Sequence, residues 1–229
     1  MRNLLITTIG EYNHFNRWTD GIRNFDIAII NYDSHDISQE FLDKCVWYGQ
    51  FPTFKFPGIQ TMLKNDNSLL KYDYYWMPDS DIDISCDDIN DMFEKANILG
   101  LDLGQPSVEK SDVSFPSWEQ FIHKEGIDVV MTNFVEVMCP LFSRYALIKC
   151  LNTFSKSQSG WGLDLVWAKL VNNGNNMAIL NSITIKHTRP VKKGGLYEAL
   201  TKKKVSPSSE RKQLMREYNI PCIDIKTWI

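Results

Sequence analysis

The chain has 229 residues, 43% of them apolar, with 25 Lys and Arg against 28 Asp and Glu and a net charge of −3. That size supports one buried core, and the missing excess of positive charge argues against nucleic acid as a partner. No apolar run approaches the ~20 residues of a membrane span, and the N-terminal MRNLLITTIGEYNHF has too short an apolar stretch for a signal peptide.

In chain order, Leu4–Ile9 and Phe25–Tyr32 read as buried strands separated by a polar, aromatic loop. Ser38–Trp47 resembles a short helix, Phe51–Phe56 alternates like a strand, and Gly58–Leu70 is helical in pattern. The strand Tyr72–Met77 follows, then a helix to Leu99 with Asp87 or Asp88 as its cap. Leu101–Gln105 reads as a strand, and the polar, proline-containing stretch 107–118 as a loop near the site. Asp128–Phe142 holds one or two strands, Arg144–Phe154 a helix, 163–171 an amphipathic helix, and Met177–Ile185 a strand ending at His187. Strands alternating with helices predict an α/β fold with helices on the faces of one sheet. The expected division is a single catalytic domain over 1–190 and a basic extension over 191–229.

That extension is electrically distinct. Residues 190–216 hold eight Lys and Arg against Glu198 and Glu210, a net of +6 that leaves −9 for the rest of the chain. Such a cluster suits a phosphate-rich ligand or an anionic membrane surface met through residues 192–216; a solvated basic loop is the plainer alternative. The five cysteines are odd in number and form no CxxC pair, as expected of buried thiols in a reducing compartment. The expected location is cytoplasmic, with the inner face of the membrane as a docking surface.

Three stations carry the chemistry. In YDYYWMPDSDIDIS (72–85) an aromatic strand stops in Asp79, Asp81 and Asp83, so carboxylates gather at the C-terminal edge of a sheet, where α/β folds bind ligands. Like charges so close raise one another's pKa values unless a cation neutralises them. Hard oxygen ligands suit magnesium, manganese or calcium, and a divalent metal held against the phosphates of a nucleotide accounts for the cluster. An EF-hand is excluded, because its sixth position would be Ile84 instead of Gly and its twelfth Asn90 instead of Glu. The second station is SGWGLD (159–164), where Trp161 between two glycines is a stacking surface on a loop. The third is IKHTRP (185–190).

Taken together, these blocks resemble glycosyltransferases of the GT-A fold. Asp79-Ser80-Asp81 is similar to their DxD motif, and Ser159–Asp164 with Ile185–Arg189 resembles the GWGxED and IRHSR segments of β-1,4-galactosyltransferases. A closer resemblance, over roughly residues 55–190, is to an uncharacterised domain family of plants and bacteria with DED, VEMMAPVFSR and GWGLD blocks; here these read Asp79–Asp81, Val135–Arg144 (VEVMCPLFSR) and Gly160–Asp164. The resemblance implies a GT-A-type, Rossmann-like mixed sheet flanked by helices, and a manganese or magnesium ion on a sugar nucleotide, UDP-linked by preference. It implies Asp79, Asp81 and His187 as metal ligands, Trp161 at the donor and acceptor site, and a carboxylate base giving inversion.

One departure matters. Where the galactosyltransferases carry two acids after GWG, this chain has Leu163-Asp164-Leu165, so Asp164 is the first candidate base and Glu136 the second. The alternative for Asp164 is a helix cap. Thr7–Gly10, with Thr8 at its centre, and Asp33 follow the first two strands as nucleotide contacts would, and Lys55 is placed to meet a phosphate. The expected reaction moves a sugar to a saccharide or lipid-linked acceptor hydroxyl in surface polysaccharide synthesis. A catalytically silent sugar-nucleotide binder or scaffold is the alternative.

Overall fold

A computed structural model describes residues 1–33, 35–110, 119–171, 176–190, 195–221 and 227–228. The central parallel block comprises β1 (Asn3–Ile9), β2 (Phe25–Asn31), β3 (Trp47–Gln50) and β4 (Tyr74–Trp76), ordered β3-β2-β1-β4. Beyond β4 the sheet turns mixed. β8 (Leu141–Ser143) runs antiparallel between β4 and β6 (Leu103–Val108), and β9 (Met177–His187) lies parallel to β6. β7 (Val130–Thr132) and β10 (Thr227–Trp228) close that edge, while the two-residue β5 (Ile82–Asp83) pairs separately with β9.

Every residue of β1 is buried, as expected of a strand covered on both faces. Its side chains alternate between two cores. Leu5 and Ile9 join Ile27, Ile29 and Trp76 on one face, beneath α1 (Phe15–Thr19) and α4 (Cys86–Leu99). Leu4 and Ile6 join Ala28, Ile30 and Tyr75 on the other, beneath α3 (Lys55–Asn65), α5 (Arg144–Cys150) and α6 (Leu163–Leu170). Among the described residues, no helix is long and apolar enough to cross a membrane.

Several predicted boundaries move. The strand expected at Phe51–Phe56 lies instead at Trp47–Gln50, beginning on the last residue of the stretch read as helix, and Lys55 already opens α3. Pro52 has no N–H to give a ladder, and Pro57 falls in the first turn of the helix, where a missing donor costs nothing. The predicted helix to Leu70 breaks at Asp66, whose side chain caps a 3-10 turn over Asn67–Lys71. Ser85, not Asp87 or Asp88, caps α4; the two acids occupy its first turn, where they complement the helix dipole. Of the expected loop 107–118, residues 107 and 108 complete β6, and 111–118 lie outside the described residues.

The basic segment contributes two helices, α2 (Gln39–Leu42) being the remaining short one near β2: α7 spans Gly195–Lys202 and α8 spans Pro207–Glu217. Ser206 caps α8 with Pro207 at its start, and Leu214 is buried in the second core against α6. Cys45, Cys86, Cys139 and Cys150 are free thiols, Cys45 half-buried and the others buried; Cys222 lies outside the described residues.

A candidate metal and sugar-nucleotide site

β4 ends at Trp76, and the chain runs on beside residues 138–140: Met77 N donates to Pro140 O (2.9 Å) and Asp79 N to Met138 O (2.8 Å). This pairing sets the DSD segment alongside VEVM. β9 reaches the same place from the far side of the sheet. Its register against β6 shifts between Pro106 and Ser107, where Ser107 Oγ bonds the carbonyls of Asn181 and Ile183. Past that irregularity β9 pairs with β5, His187 opposite Ile82, so His187 meets the residue just before β5. Asp79, Asp81 and His187 each offer a ligand atom, and these atoms lie within 4.8 Å of one another.

The cluster fits a divalent cation. His187 Nε2 is 3.5 Å from Asp81 Oδ1, and that oxygen is buried without a hydrogen bond. Burial first, then the neighbouring Asp79, push the Asp81 carboxyl above its usual range, against the pull of His187 and Arg189. A buried acceptor with no donor is costly, and a cation satisfies it together with the carboxylate pair. The two carboxylates suit a hard divalent ion of the magnesium or manganese type.

Lys55 is mostly buried, and its ammonium is fully engaged. Nζ bonds Asp79 Oδ1 at 2.7 Å and the carbonyls of Val137 and Met138 at 2.9 and 3.0 Å. It therefore ties the DSD segment to VEVM, a role the sequence reading of a phosphate contact did not include. Lys55→Met is expected to keep the fold and weaken manganese affinity by ~10-fold or more, as loss of a residue supporting a ligand typically does; a manganese titration followed by the nucleotide-dependent melting shift checks it.

The loops after β1 and β2 form the neighbouring wall. Thr8 is nearly buried at the end of β1, and Thr7 Oγ1 donates to Pro78 O, which fixes the approach to Asp79. Asp33 is used on both oxygens: Oδ2 accepts from Glu11 N (2.8 Å) and Oδ1 contacts His35 Nδ1 (2.6 Å). Burial acts to raise its pKa, but the His35 and backbone bonds outweigh that and lower it. The side chain thus ties its own turn to the β1 loop. Gly10 sits so close to Tyr32 that a Cβ would lie 2.5 Å from the phenol oxygen.

Residues that sequence reasoning passed over complete this wall. Tyr12 and His14 both bond Thr188 Oγ1, at 3.0 and 2.9 Å, and Thr188 Oγ1 donates to Asp81 O at 2.8 Å. Arg189 lies over the Tyr12 ring with its guanidinium carbon 4.0 Å from the centroid. Arg189 belongs to the IKHTRP segment, so its position was readable in principle; Tyr12 and His14 were hidden in a loop without a motif.

Opposite stands the GWG loop. Gly160 and Gly162 have φ of +82° and +89°, a left-handed region that side chains enter at a cost. Gly162, not Asp164, is the N-cap of α6, which removes the cap reading of Asp164. Asp164 sits in the first turn and its Oδ1 accepts from Leu165 N at 2.9 Å. Burial pushes its pKa up to about 7, against the pull of the Leu165 N–H and of Arg211. Glu136 is raised further, to about 8, by burial, Asp164 and Asp79, with Lys55 opposing. Its Oε2 is shielded from water without a hydrogen bond. The two candidate bases therefore share one site, Glu136 on the side of Asp79. Tyr197 of α7, for which the sequence carried no signal, hydrogen-bonds with the Trp161 side chain and faces Asp79 and Glu136.

The loop is held by α8. Glu210 accepts from Gln158 N (2.7 Å), Ser159 N (3.0 Å), Ser159 Oγ (2.5 Å) and Ser157 Oγ (3.1 Å). Arg211 Cα would lie 2.9 Å from a Cβ on Gly162. Gly162→Ala is thus expected to cost ~1–3 kcal/mol, from the left-handed backbone and the displaced helix, and urea unfolding measures it.

No curated protein matches the sequence at a significant level. Among solved structures, S. aureus TarS superposes with a TM-score of 0.54 at 13% identity, over 96% of this chain and 43% of that one. S. aureus TarS 1-349 in complex with UDP-GlcNAc gives 0.59 at 12%, over 96% and 65%, and the same fragment with UDP gives 0.53 at 11%, over 95% and 70%. This chain thus spans under half of the length of TarS and about two thirds of that fragment. Such identities speak for the fold, which is the GT-A-type α/β arrangement expected from the sequence. The family model described as protein of unknown function (DUF707) matches residues 62–222, well over half of the sequence, and the chain belongs to that family.

Proposed function

We propose that the protein is a metal-dependent glycosyltransferase that moves a sugar from a nucleotide diphosphate, UDP by preference, to an acceptor hydroxyl. The observation that carries the reading is the Asp79–Asp81–His187 cluster at the sheet edge, with two high-pKa carboxylates close by, Glu136 within electrostatic reach of both Asp79 and Asp164. The solved complexes of S. aureus TarS 1-349 with UDP-GlcNAc and UDP support the choice of donor, at the level of a shared fold.

Asp79, Asp81 and His187 would hold manganese or magnesium, which supplies Lewis-acid neutralisation of the leaving diphosphate. The chain's own residues do the rest. Arg189, stacked on Tyr12 beside Asp81, presents a guanidinium for a diphosphate oxygen. Trp161 offers its face to a sugar. Asp164, with a pKa near the working pH, takes the proton of the acceptor hydroxyl as that oxygen attacks the anomeric carbon. The bond from that carbon to the diphosphate oxygen breaks and its electron pair leaves with the nucleotide, with inversion. Glu136, raised further, keeps its proton at neutral pH and donates to a sugar hydroxyl.

The test is a melting-temperature series with UDP, GDP and CMP, each with and without manganese. A nucleotide that binds only the native state raises the melting point. A manganese-dependent rise with UDP is expected, and release of free sugar or transfer from a UDP-sugar over hours separates an enzyme from a silent binder. No rise with any of the three nucleotides would overturn the reading.

A further inference from the structure

The arginines of the chain fall into two groups. Arg2, Arg17, Arg23 and Arg144 each bond or pair with a carboxylate or a carbonyl, and Arg216 is exposed on the outer side of α8. Arg189 and Arg211 differ: each is half-buried and near an aromatic ring of the site, Arg189 over Tyr12 and Arg211 beside Trp161 with its guanidinium carbon 5.8 Å from the centroid. Arg211 Nε is shielded from water and has no hydrogen-bond partner, and no carboxylate of the described residues lies within ion-pair distance of the guanidinium. Yet Arg211 acts electrostatically on Asp164, so the charge lies beside the candidate base.

Arg211 is also fixed in place from both sides. Glu210, the preceding residue, anchors the loop over Ser157–Ser159 through four hydrogen bonds, and Gly162 admits the helix backbone to close contact. Leu214, one turn further on, is buried in the core. With its helix backbone fixed and its charge beside an indole, the guanidinium can offer its two terminal nitrogens to the oxygens of an anion. A neutral sugar laid over it would bury donors that it cannot fully satisfy.

We propose that the acceptor bears an anionic group, a phosphate or a carboxylate, and that Arg211 of α8 is the residue that recognises it, so that Trp161 carries the acceptor's ring and Asp164 meets its hydroxyl. The inference rests on the transferase reading for the identity of the site and adds to it the chemical class of the second substrate. It also gives the basic helix α8 a place at the site, in addition to any role of its exposed Lys212 and Arg216.

The test is calorimetric titration of the full chain, alone and saturated with UDP and manganese, with glucose 1-phosphate, glucuronate and methyl glucoside. The phosphate or the carboxylate, or both, should bind at least ~10-fold tighter than the neutral glycoside, and which of them does so names the group. Arg211→Gln should abolish the difference while keeping the manganese-dependent UDP shift, and Arg211→Lys should restore part of it by charge alone. Equal binding of charged and neutral probes, no binding of any of them, or a preference that survives in Arg211→Gln would overturn the proposal. If Arg211→Gln proves misfolded by circular dichroism, the Arg211→Lys chain decides: an unchanged preference there counts against recognition by the planar guanidinium. A wild-type chain that takes no UDP defeats the transferase reading instead, and the anion preference is then read on the chain alone.

Discussion

Asp81→Ala is expected to abolish the manganese-dependent melting shift with UDP and to lower transfer by on the order of 10³-fold or more, while the fold survives. Asp81 is the more enclosed of the two candidate carboxylate ligands, its Oδ1 buried without a hydrogen bond and 3.5 Å from His187. Without a cation, burial first and then repulsion from the nearby Asp79 raise the pKa of Asp81. Removing it takes away a burden on the free chain, so the variant should melt no lower than wild type in the absence of metal. The same change should leave no partner for manganese, so the gap between the two proteins opens only when metal and nucleotide are added. His187→Ala, which keeps both carboxylates, should weaken the shift without abolishing it. Differential scanning calorimetry with a manganese series reads all three chains. An Asp81→Ala protein that still shows the full UDP shift would place the metal elsewhere.

The second large effect belongs to Asp164, and it has two signs. Its pKa of about 7 in the folded chain lies well above the ordinary 3.8, so the folded state holds the proton more tightly than the unfolded state. The stabilisation this gives is complete below pH ~4 and is lost as pH rises through about 7. Asp164→Asn should therefore match wild type in acid and become the more stable protein by pH 8, by ~2 kcal/mol after allowance for the solvent that reaches the rim of the residue. Transfer runs the opposite way. Wild-type kcat/KM should climb with pH to a plateau above about 7, and Asp164→Asn should cut it ~10²–10⁴-fold while sparing the UDP shift. Urea melts at pH 5 and pH 8, with a pH–rate profile, test both signs in one pair of proteins. Full transfer by Asp164→Asn would move the base to Glu136. The residue that costs stability at neutral pH is thus the one the reaction needs ionised there.

Much of the fold could be read from periodicity, because the central strands are buried on both faces and stand out as apolar runs. Asn3–Ile9, Phe25–Asn31 and Met177–His187 fall close to where that pattern put them. The error at residues 47–56 arose where aromatic residues, Trp47, Phe51, Phe54 and Phe56, alternate in a way that strand and helix share, and only packing assigns them. At the site, the Asp79–Asp81 pair and His187 were legible because short motifs flank them. Their meeting depends on a register irregularity in β9, which no local pattern announces. Lys55 was named for another role, since a lysine's partners 24 and 82 residues away leave no trace in its neighbourhood. Tyr197, Glu210 and Arg211 were hidden for a similar reason: they lie in a segment whose composition reads as a solvated basic stretch.

The four bonds from Glu210 have a consequence in time. The loop over Ser157–Ser159 finds its anchor about fifty residues later in the chain. At ribosomal speeds of ~5–20 residues per second, strands β1–β8, the DSD segment and the tryptophan loop are all synthesised at least ~3–10 s before the helix that pins that loop. A growing chain can thus assemble its sheet around the nucleotide wall first and complete the opposing wall last. The second wall of the site would then close in a late step, together with the burial of Leu214 in the second core.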